Sequence, residues 1–421
     1  MAGESWKSQT WWNLPVYTGD VSGVCSALYE LGGMVVMHDP SGCNSTYNTH
    51  DEIRWVSMES LIFLSGLTQL DAITGNDQRL IDDIVSAANT FHPAFIAIAN
   101  SPVPWLIGTD FEAICKKVTA LTGIASFHVE TNAMHDYTKG AGQAFLHLAK
   151  MLLSEDAGAA GDSGTLRGLP GTGRIIAADT NPDGRRIRLN ILGMTPLDYP
   201  VREDAMAMRR ILEEEGFAVV SNWAIGDGLQ SLKRSAGADV NLVVSSTGME
   251  TARWMEETFG IPYTVGVPTG SFRRILCEAV KKSALTRKSS VPYLEILNSL
   301  PSREKRKNPD TPVRCIAGEP VTMGSAAADI VLTDGKPCDL IALTETRQGL
   351  LPEQGFTPEG ERQIREVLAE YEEVTADPML KEACRSGCRF HALPHFALSG
   401  RLYLDQIGSL LEKKEVLYEH E

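Results

Sequence analysis

Two periodicities alternate along this chain. Short unbroken apolar runs are followed by longer segments in which apolar positions recur every three or four residues. Residues 94–99 (Ala-Phe-Ile-Ala-Ile-Ala) have no polar position, the pattern of a strand buried on both faces. Residues 111–121 have helical spacing, with Thr109 or Asp110 placed to cap the start and Gly123 to end the helix. Residues 124–129 read as the next strand. Strand, helix and strand in this order predict a βαβ unit, a parallel sheet and a right-handed crossover.

The alternation returns twice. Strands are predicted over 187–192, 217–221, 240–245 and 263–267, with helices over 202–215, 228–235 and 250–259 between them. A further set comprises a strand over 313–317, a helix around 324–332 and a strand over 340–344. A helical segment covers 272–300, another helix 361–371, and an amphipathic helix 402–416 closes the chain. The glycine-rich stretch 156–173 and the charged, proline-containing stretch 303–312 read as joints. The fold class predicted is therefore α/β in three blocks, 1–165, 166–300 and 301–421, each a parallel sheet flanked by helices.

Composition narrows the function. With 43% hydrophobic and 22% charged residues the chain can build ordinary globular cores. Its 39 basic and 54 acidic residues leave a net charge of −15, which opposes binding to phosphate backbones and to anionic membrane surfaces. No apolar run reaches the roughly 18–20 residues of a membrane span, and the start of the chain lacks a secretory h-region. A cytoplasmic protein is expected, whose eight cysteines are free thiols or metal ligands. No G-x-G-x-x-G or Walker motif occurs; Gly226-Asp227-Gly228 is at most part of a phosphate cradle.

Three segments carry candidate chemistry. The apolar run 34–37 passes through His38-Asp39-Pro40-Ser41-Gly42 to Cys43. Such a turn holds a thiolate on a stiff base and exposes backbone N–H groups, which suits an iron–sulfur cluster; the plainer reading is a free cysteine. Cys25, upstream, is a second ligand or a small residue at the start of a helix. Cys384-Arg385-Ser386-Gly387-Cys388, followed by His391 and His395, lacks a C-x2-C knuckle and reads as loop and strand packing. Trp6, Trp11 and Trp12 form either a protein interface or an arm folded on its own domain.

The segment 32–43, with the run from His38 to Cys43 followed by 46–55, resembles the H-G-P-x-G-C region of the nitrogenase component 1 family. That family includes nitrogenase MoFe-protein subunits, dark-operative protochlorophyllide and chlorophyllide reductases, the nickel-sirohydrochlorin reductive cyclase and methylthio-alkane reductases. Leu106-Ile107-Gly108-Thr109-Asp110 is similar to the family's L-I-G-D-D turn. Residues 210–216, leading through a strand to Gly226-Asp227-Gly228, are similar to its middle domain. Val240-Asn241-Leu242, Met249 and 256–262 are similar to its V-N-L … M-E-x-x-x-G-I-P run, and 395–400 lie at its C-terminal histidine loop.

The resemblance implies three Rossmann-like domains and a homologous α-type partner subunit, in an α2β2-type assembly. It also implies a 4Fe–4S or P-cluster-like 8Fe–7S cluster at their interface, reduced by an ATP-dependent iron protein. Family subunits with a full cluster set offer three cysteines, and Cys43 matches one of them. Counting back places the first near Thr18 rather than Cys25, and the third position falls at Ser101-Pro102-Val103-Pro104, which has no thiol. The implied ligands are Cys43 and Cys25, with Thr18, Asp20 or Ser101 as oxygen substitutes, the partner supplying the rest or the cluster being smaller. The α-type subunit anchors its catalytic cofactor through a cysteine after the V-N-L strand and through a histidine. Here the first position is Ser245, a poor ligand for such iron, and the second falls near His395.

A β-type subunit of a nitrogenase-like reductase is therefore expected, relaying electrons to a partner site that cleaves C–S bonds of methylthio-alkanes. The alternatives are tetrapyrrole reduction, a non-catalytic scaffold for cofactor assembly, and, outside the family, a periplasmic-binding-like or nucleotide-sugar-binding α/β protein.

Overall fold

The computed structural model describes residues 16–40, 42, 44, 47, 52–154, 185–300, 313–346 and 348–411. Three four-stranded sheets follow one another along the chain. The first holds β1 (Met34–His38), β2 (Leu61–Leu64), β3 (Ile96–Asn100) and β4 (Ser126–Val129). The second holds β5 (Arg188–Leu192), β6 (Ala218–Asn222), β7 (Val240–Val243) and β8 (Tyr263–Val265). The third holds β9 (Arg314–Gly318), β10 (Asp339–Ala342), β11 (Glu373–Ala376) and β12 (Arg389–Ala392).

All strand pairs are parallel. Each sheet has the same order, its second strand beside the first, then the third and fourth: β2-β1-β3-β4, β6-β5-β7-β8 and β10-β9-β11-β12. In such a sheet the strand order reverses between the first and third strands, which opens a crevice at their carboxyl ends. The molecule therefore has three such points, at β1/β3, β5/β7 and β9/β11.

The first sheet shows how its sequence dictates burial on both faces. Every residue of β1 and β3 is buried. Val35, Met37, Ala97 and Ala99 project into the main core, while Met34, Val36, Ile96 and Ile98 join a second cluster with Leu80, Ile84, Phe111 and Val118. This is the period of two expected of a strand with helices on both sides. The helix Phe111–Thr122 is capped by the Asp110 side chain, which accepts from the Ala113 N–H at 3.0 Å, and ends at Gly123.

Several expected elements differ. The helical segment 272–300 is two helices, Phe272–Thr286 and Pro292–Asn298, because Arg287 adopts a left-handed conformation at φ 56° and Pro292 starts the next helix. The helix expected over 228–235 is a single turn, Leu229–Leu232. No helix runs from 402; Gly400–Gln406 is a short 3-10 segment with a kink at Tyr403, and 407–411 are not helical. Strands β2, β11 and β12 and the helices Asp77–Phe91 and Tyr137–Leu153 are additional to the expectation. The joints at 156–173 and 303–312, the Trp6, Trp11 and Trp12 cluster, and residues 412–416 lie outside the described residues.

Helices Asp20–Leu28 and Tyr137–Leu153 cross at backbone contact. A Cβ on Gly140 would lie 1.9 Å from the Asp20 carbonyl oxygen, and one on Gly23 would lie 2.3 Å from that of Tyr137. Overpacking of this kind costs roughly 1–3 kcal/mol. Gly140→Ala is expected to reduce the unfolding free energy by at least that amount and so lower the urea midpoint, whereas Gly142→Ala, whose nearest foreign atom is 3.4 Å away, should be far milder. Urea titrations of the two variants test the crossing.

Candidate functional site

Two of the residues singled out from sequence, His38 and Ser101, stand at the carboxyl edge of the first sheet. β1 ends at His38, whose Nδ1 lies 2.8 Å from Ser65 Oγ. Burial lowers the His38 pKa to about 4, against the weaker opposing charges of Asp39 and Asp71. A neutral imidazole therefore closes the strand. The turn that follows is held by Gly42, whose N–H donates to Asp39 Oδ2 at 3.2 Å. Cys43 itself lies outside the described residues.

Across the crevice, β3 ends at Asn100 and Ser101, and the Ser101 N–H donates to the His38 carbonyl at 3.1 Å. The Ser101 hydroxyl is buried and has no hydrogen-bond partner. Thr18 is buried just ahead of the helix Asp20–Leu28. Its N–H donates to the Ala397 carbonyl and its own carbonyl accepts from Tyr137. Asp20 is fully engaged, accepting from the N–H groups of Val21, Asn132 and Ala133 at 2.7–3.0 Å. Burial nonetheless raises its pKa, the three N–H bonds opposing.

Cys25 lies elsewhere in character. It is inside the helix Asp20–Leu28, fully buried in the main core. Burial pushes its thiol far up, and the nearby Glu52 carboxylate pushes it further. Both effects oppose the thiolate that a metal needs. Glu52 is also buried, held by Arg54 at 2.7 Å and by the hydroxyls of Tyr47 and Ser26 at 2.8 and 3.0 Å. Burial alone would raise Glu52, but the Arg54 guanidinium and these donors keep its carboxyl below the usual range. Arg54 also binds Glu30 and the Ser26 carbonyl, so this ion pair clamps the segment after the turn onto the helix.

A second constellation occupies the meeting point of the other two crevices. Asp198, on the loop after β5, accepts from the Tyr137 hydroxyl at 2.5 Å, the Ser245 hydroxyl at 2.6 Å and the Thr195 hydroxyl at 3.0 Å. His395 Nε2 lies 3.2 Å from the same carboxylate. Glu319, capping the helix Pro320–Asp334, accepts from the N–H groups of Val321 and Thr322. Its other oxygen accepts from the Ser246 N–H at 2.9 Å, so it links the third sheet to the second. Asp377, at the end of β11, accepts from the His395 N–H at 2.9 Å and the Ser399 hydroxyl at 2.8 Å. All of these side chains are buried, Asp198 at 2% exposure and His395 at 4%.

Burial by itself would lower His395, but the Asp198 carboxylate, with Glu319 and Asp377 behind it, holds the imidazole above its ordinary value. Glu319 is raised by burial and by the charge of Asp198, against the donors at Ser246 and Thr322. The cluster is therefore a proton-retaining charge network buried between sheets.

A family model described as nitrogenase component 1 type oxidoreductase matches residues 23–275, more than half of the chain. The chain belongs to this family. The nitrogenase iron-molybdenum cofactor biosynthesis protein NifE of Methanosarcina barkeri is 23% identical over 54% of this chain and 46% of its own length. A light-independent protochlorophyllide reductase chain of Synechococcus sp. (strain CC9605) is 24% identical over 44% of this chain and 33% of its own. This nitrogenase component 1 chain thus spans less than half the length of the curated relatives it matches. A solved structure titled "Nitrogenase Cp1 at pH 5" has the same fold, with TM-score 0.59 at 14% identity, over 97% of this chain and 88% of that one. No helix among the described residues is long and apolar enough to cross a membrane.

Sequence reading found Ser245 and His395 but missed what joins them, Asp198. It also missed Tyr137, Glu319, Asp377 and the Glu52–Arg54 pair. A signal was present: His38-Asp39-Pro40, Gly318-Glu319-Pro320 and Ala376-Asp377-Pro378 each place a carboxylate and a proline directly after a strand. At Glu319 and Asp377 the carboxylate caps the following helix and the proline fills its first turn.

Because folded His395 holds its proton more tightly than the unfolded chain, its stabilisation is complete below about pH 6.5, the unfolded value. It is lost as pH rises through the higher folded value. Glu319 adds a slope of the same sign from about pH 4.3 upward. Asp198→Asn is expected to cost roughly 3–5 kcal/mol and to abolish the His395 part of the slope. Denaturant midpoints measured on both sides of neutrality check this; an unchanged slope assigns the proton elsewhere.

Proposed function

We propose that this chain is the electron-relaying, β-type subunit of a nitrogenase-like reductase and holds no catalytic metallocofactor of its own. The observation that supports it is the saturation of Asp198. Ser245 and His395 stand where the resemblance implies a cofactor-anchoring cysteine and histidine in the α-type subunit. Here the Ser245 hydroxyl donates to a buried carboxylate, and His395 Nε2 lies 3.2 Å from the same group as its counter-charge. The substrate then binds in a homologous partner subunit.

The residues at the first crevice fit an iron–sulfur cluster shared with that partner. The Ser101 hydroxyl is buried without a hydrogen-bond partner, and the turn from His38 leads directly to Cys43. When bound, such a cluster supplies a one-electron site whose potential is set by burial and N–H donors. Cys43 is the thiolate ligand in this reading, Ser101 and Thr18 are the oxygen donors at the same edge, and Cys25 is a packing residue of the core. Around the edge, Val103, Trp105, Leu106 and Ile107 after β3 and Leu70 and Ile73 after β2 are exposed apolar side chains. Their covering by the α-type subunit removes them from water, and the iron protein docks on the assembled pair.

Reductive C–S cleavage of methylthio-alkanes is the chemistry assigned to the complex. The likeness to light-independent protochlorophyllide reductase, 34% identical over 89 residues for the Synechococcus sp. (strain WH7803) protein, favours tetrapyrrole reduction as the second reading. The NifE likeness favours an assembly scaffold as the third.

Anaerobic co-purification with the partner subunit, followed by iron and acid-labile sulfide analysis and EPR, tests the reading. The wild-type complex is expected to contain cluster iron, Cys43→Ala to lose most of it, and Cys25→Ala to keep it. A pure complex free of iron overturns the relay; iron retained in Cys43→Ala but lost in Cys25→Ala exchanges the two roles.

A further inference from the structure

A closed ring of contacts ties the stretch Tyr17–Asp20 to Asp198. One arm of the ring is Tyr137. Its hydroxyl donates to Asp198 at 2.5 Å, and its backbone N–H donates to the Thr18 carbonyl at 3.0 Å. The other arm is the segment His395–Ser399. His395 Nε2 lies 3.2 Å from the Asp198 carboxylate. Beyond it, the carbonyls of Ala397 and Leu398 accept from the N–H groups of Thr18 and Tyr17, each at 3.1 Å. The Ala397 N–H returns to the Leu197 carbonyl at 3.1 Å, next to Asp198 in the chain. Thr18 is thus gripped through its N–H by one arm and through its carbonyl by the other.

The ring is filled by a small apolar cluster of its own, Tyr137, Leu197, Phe396 and Ala397, with Val16 packed against it. Its charge sits at His395, the side-chain type that titrates near neutrality. The imidazole faces Asp198 from the loop after β5, Glu319 from the start of the helix Pro320–Asp334 and Asp377 from the end of β11. The Tyr137 ring lies 6.5 Å away and stays neutral, because burial drives its hydroxyl well above the ordinary value. Burial opposes the imidazolium as well, but Asp198, Glu319 and Asp377 together hold its pKa above the ordinary value. Protonated, His395 is the counter-charge of a buried carboxylate; once the proton passes to water, that carboxylate loses it.

We propose that the segment His395–Ser399 is a proton-dependent clasp on the stretch Tyr17–Asp20, closed while His395 carries its proton beside Asp198 and slackened when the proton leaves. The mechanical path is short. The helical turn Phe396–Ser399 starts at His395, so a shift of His395 away from Asp198 carries the Ala397 and Leu398 carbonyls with it. The clasped stretch leads into the helix Asp20–Leu28 and pairs with the segment after β4 through Gly19 and Asp136. The clasp therefore acts on the entry to the first domain rather than on its sheet. It concerns the polypeptide alone and does not rest on the relay.

Hydrogen exchange read by mass spectrometry on the full-length, iron-free chain tests the clasp. His135, whose Nδ1 lies 2.9 Å from Glu345 next to the same stretch, is replaced throughout (His135→Gln) so that its titration does not enter. Protection, corrected for intrinsic exchange, is followed from about pH 6 to about pH 9, upward from near the free histidine value. The amides of Tyr17, Thr18, Tyr137 and Ala397 are compared with those of the helix Phe111–Thr122. Clasp protection is expected to fall by about tenfold relative to that helix as pH rises, the change that one pKa unit supplies. His395→Gln, which keeps a neutral polar side chain, should be less protected than its parent at the acid end and equal to it at the alkaline end. Asp198→Asn should remove the pH dependence. A flat profile in the parent, which needs no further variant to fold, overturns the proposal. So does a fall shared equally by the reference helix, or a His395→Gln deficit that is the same at every pH.

Discussion

One carboxylate holds the centre of this molecule. Asp198 gathers the hydroxyls of Tyr137, Thr195 and Ser245 and the imidazole of His395, which come from four separate stretches of chain. Taking a carboxylate out of water costs several kcal/mol, and only a full set of donors and a counter-charge offsets it. Each donor therefore has to be in place together, and that requirement fixes how the three sheets meet. Glu319 and Asp377 extend the network, so the loops after β5, β7, β9 and β11 share one buried polar joint.

The repeated strand order makes this joint possible. A reversal between first and third strands sends the adjoining loops to opposite sides and leaves a crevice at the carboxyl ends. Three sheets built alike give three crevices. In this chain the second and third are joined to each other by charge and hydrogen bonds, while the first has an exposed apolar surround. The difference is chemical rather than topological, and it separates the crevice proposed to carry electrons from the two that hold the fold.

Much of the architecture was legible in the order of residues. Buried parallel strands read as apolar runs because both faces are covered, and helix ends at Asp110 and Gly123 follow from capping and left-handed backbone. The short edge strand β12 was illegible because its side chains are largely exposed, so no apolar run marks it. The helix break at Arg287 was illegible because an arginine in a left-handed conformation carries no signal in its type.

The sequence by itself determined the α/β class, the three blocks and the family likeness, since these rest on local periodicity and on short motifs in order. The family resemblance also implied that Ser245 stands where a thiol is expected. Only the tertiary structure decided that Ser245 and His395, 150 residues apart in chain number, serve the same carboxylate. Only it placed Cys25 in hydrocarbon beside Glu52, where a thiolate is disfavoured. Burial and counter-charge are properties of what surrounds a side chain, and those neighbours come from segments that local pattern cannot bring together.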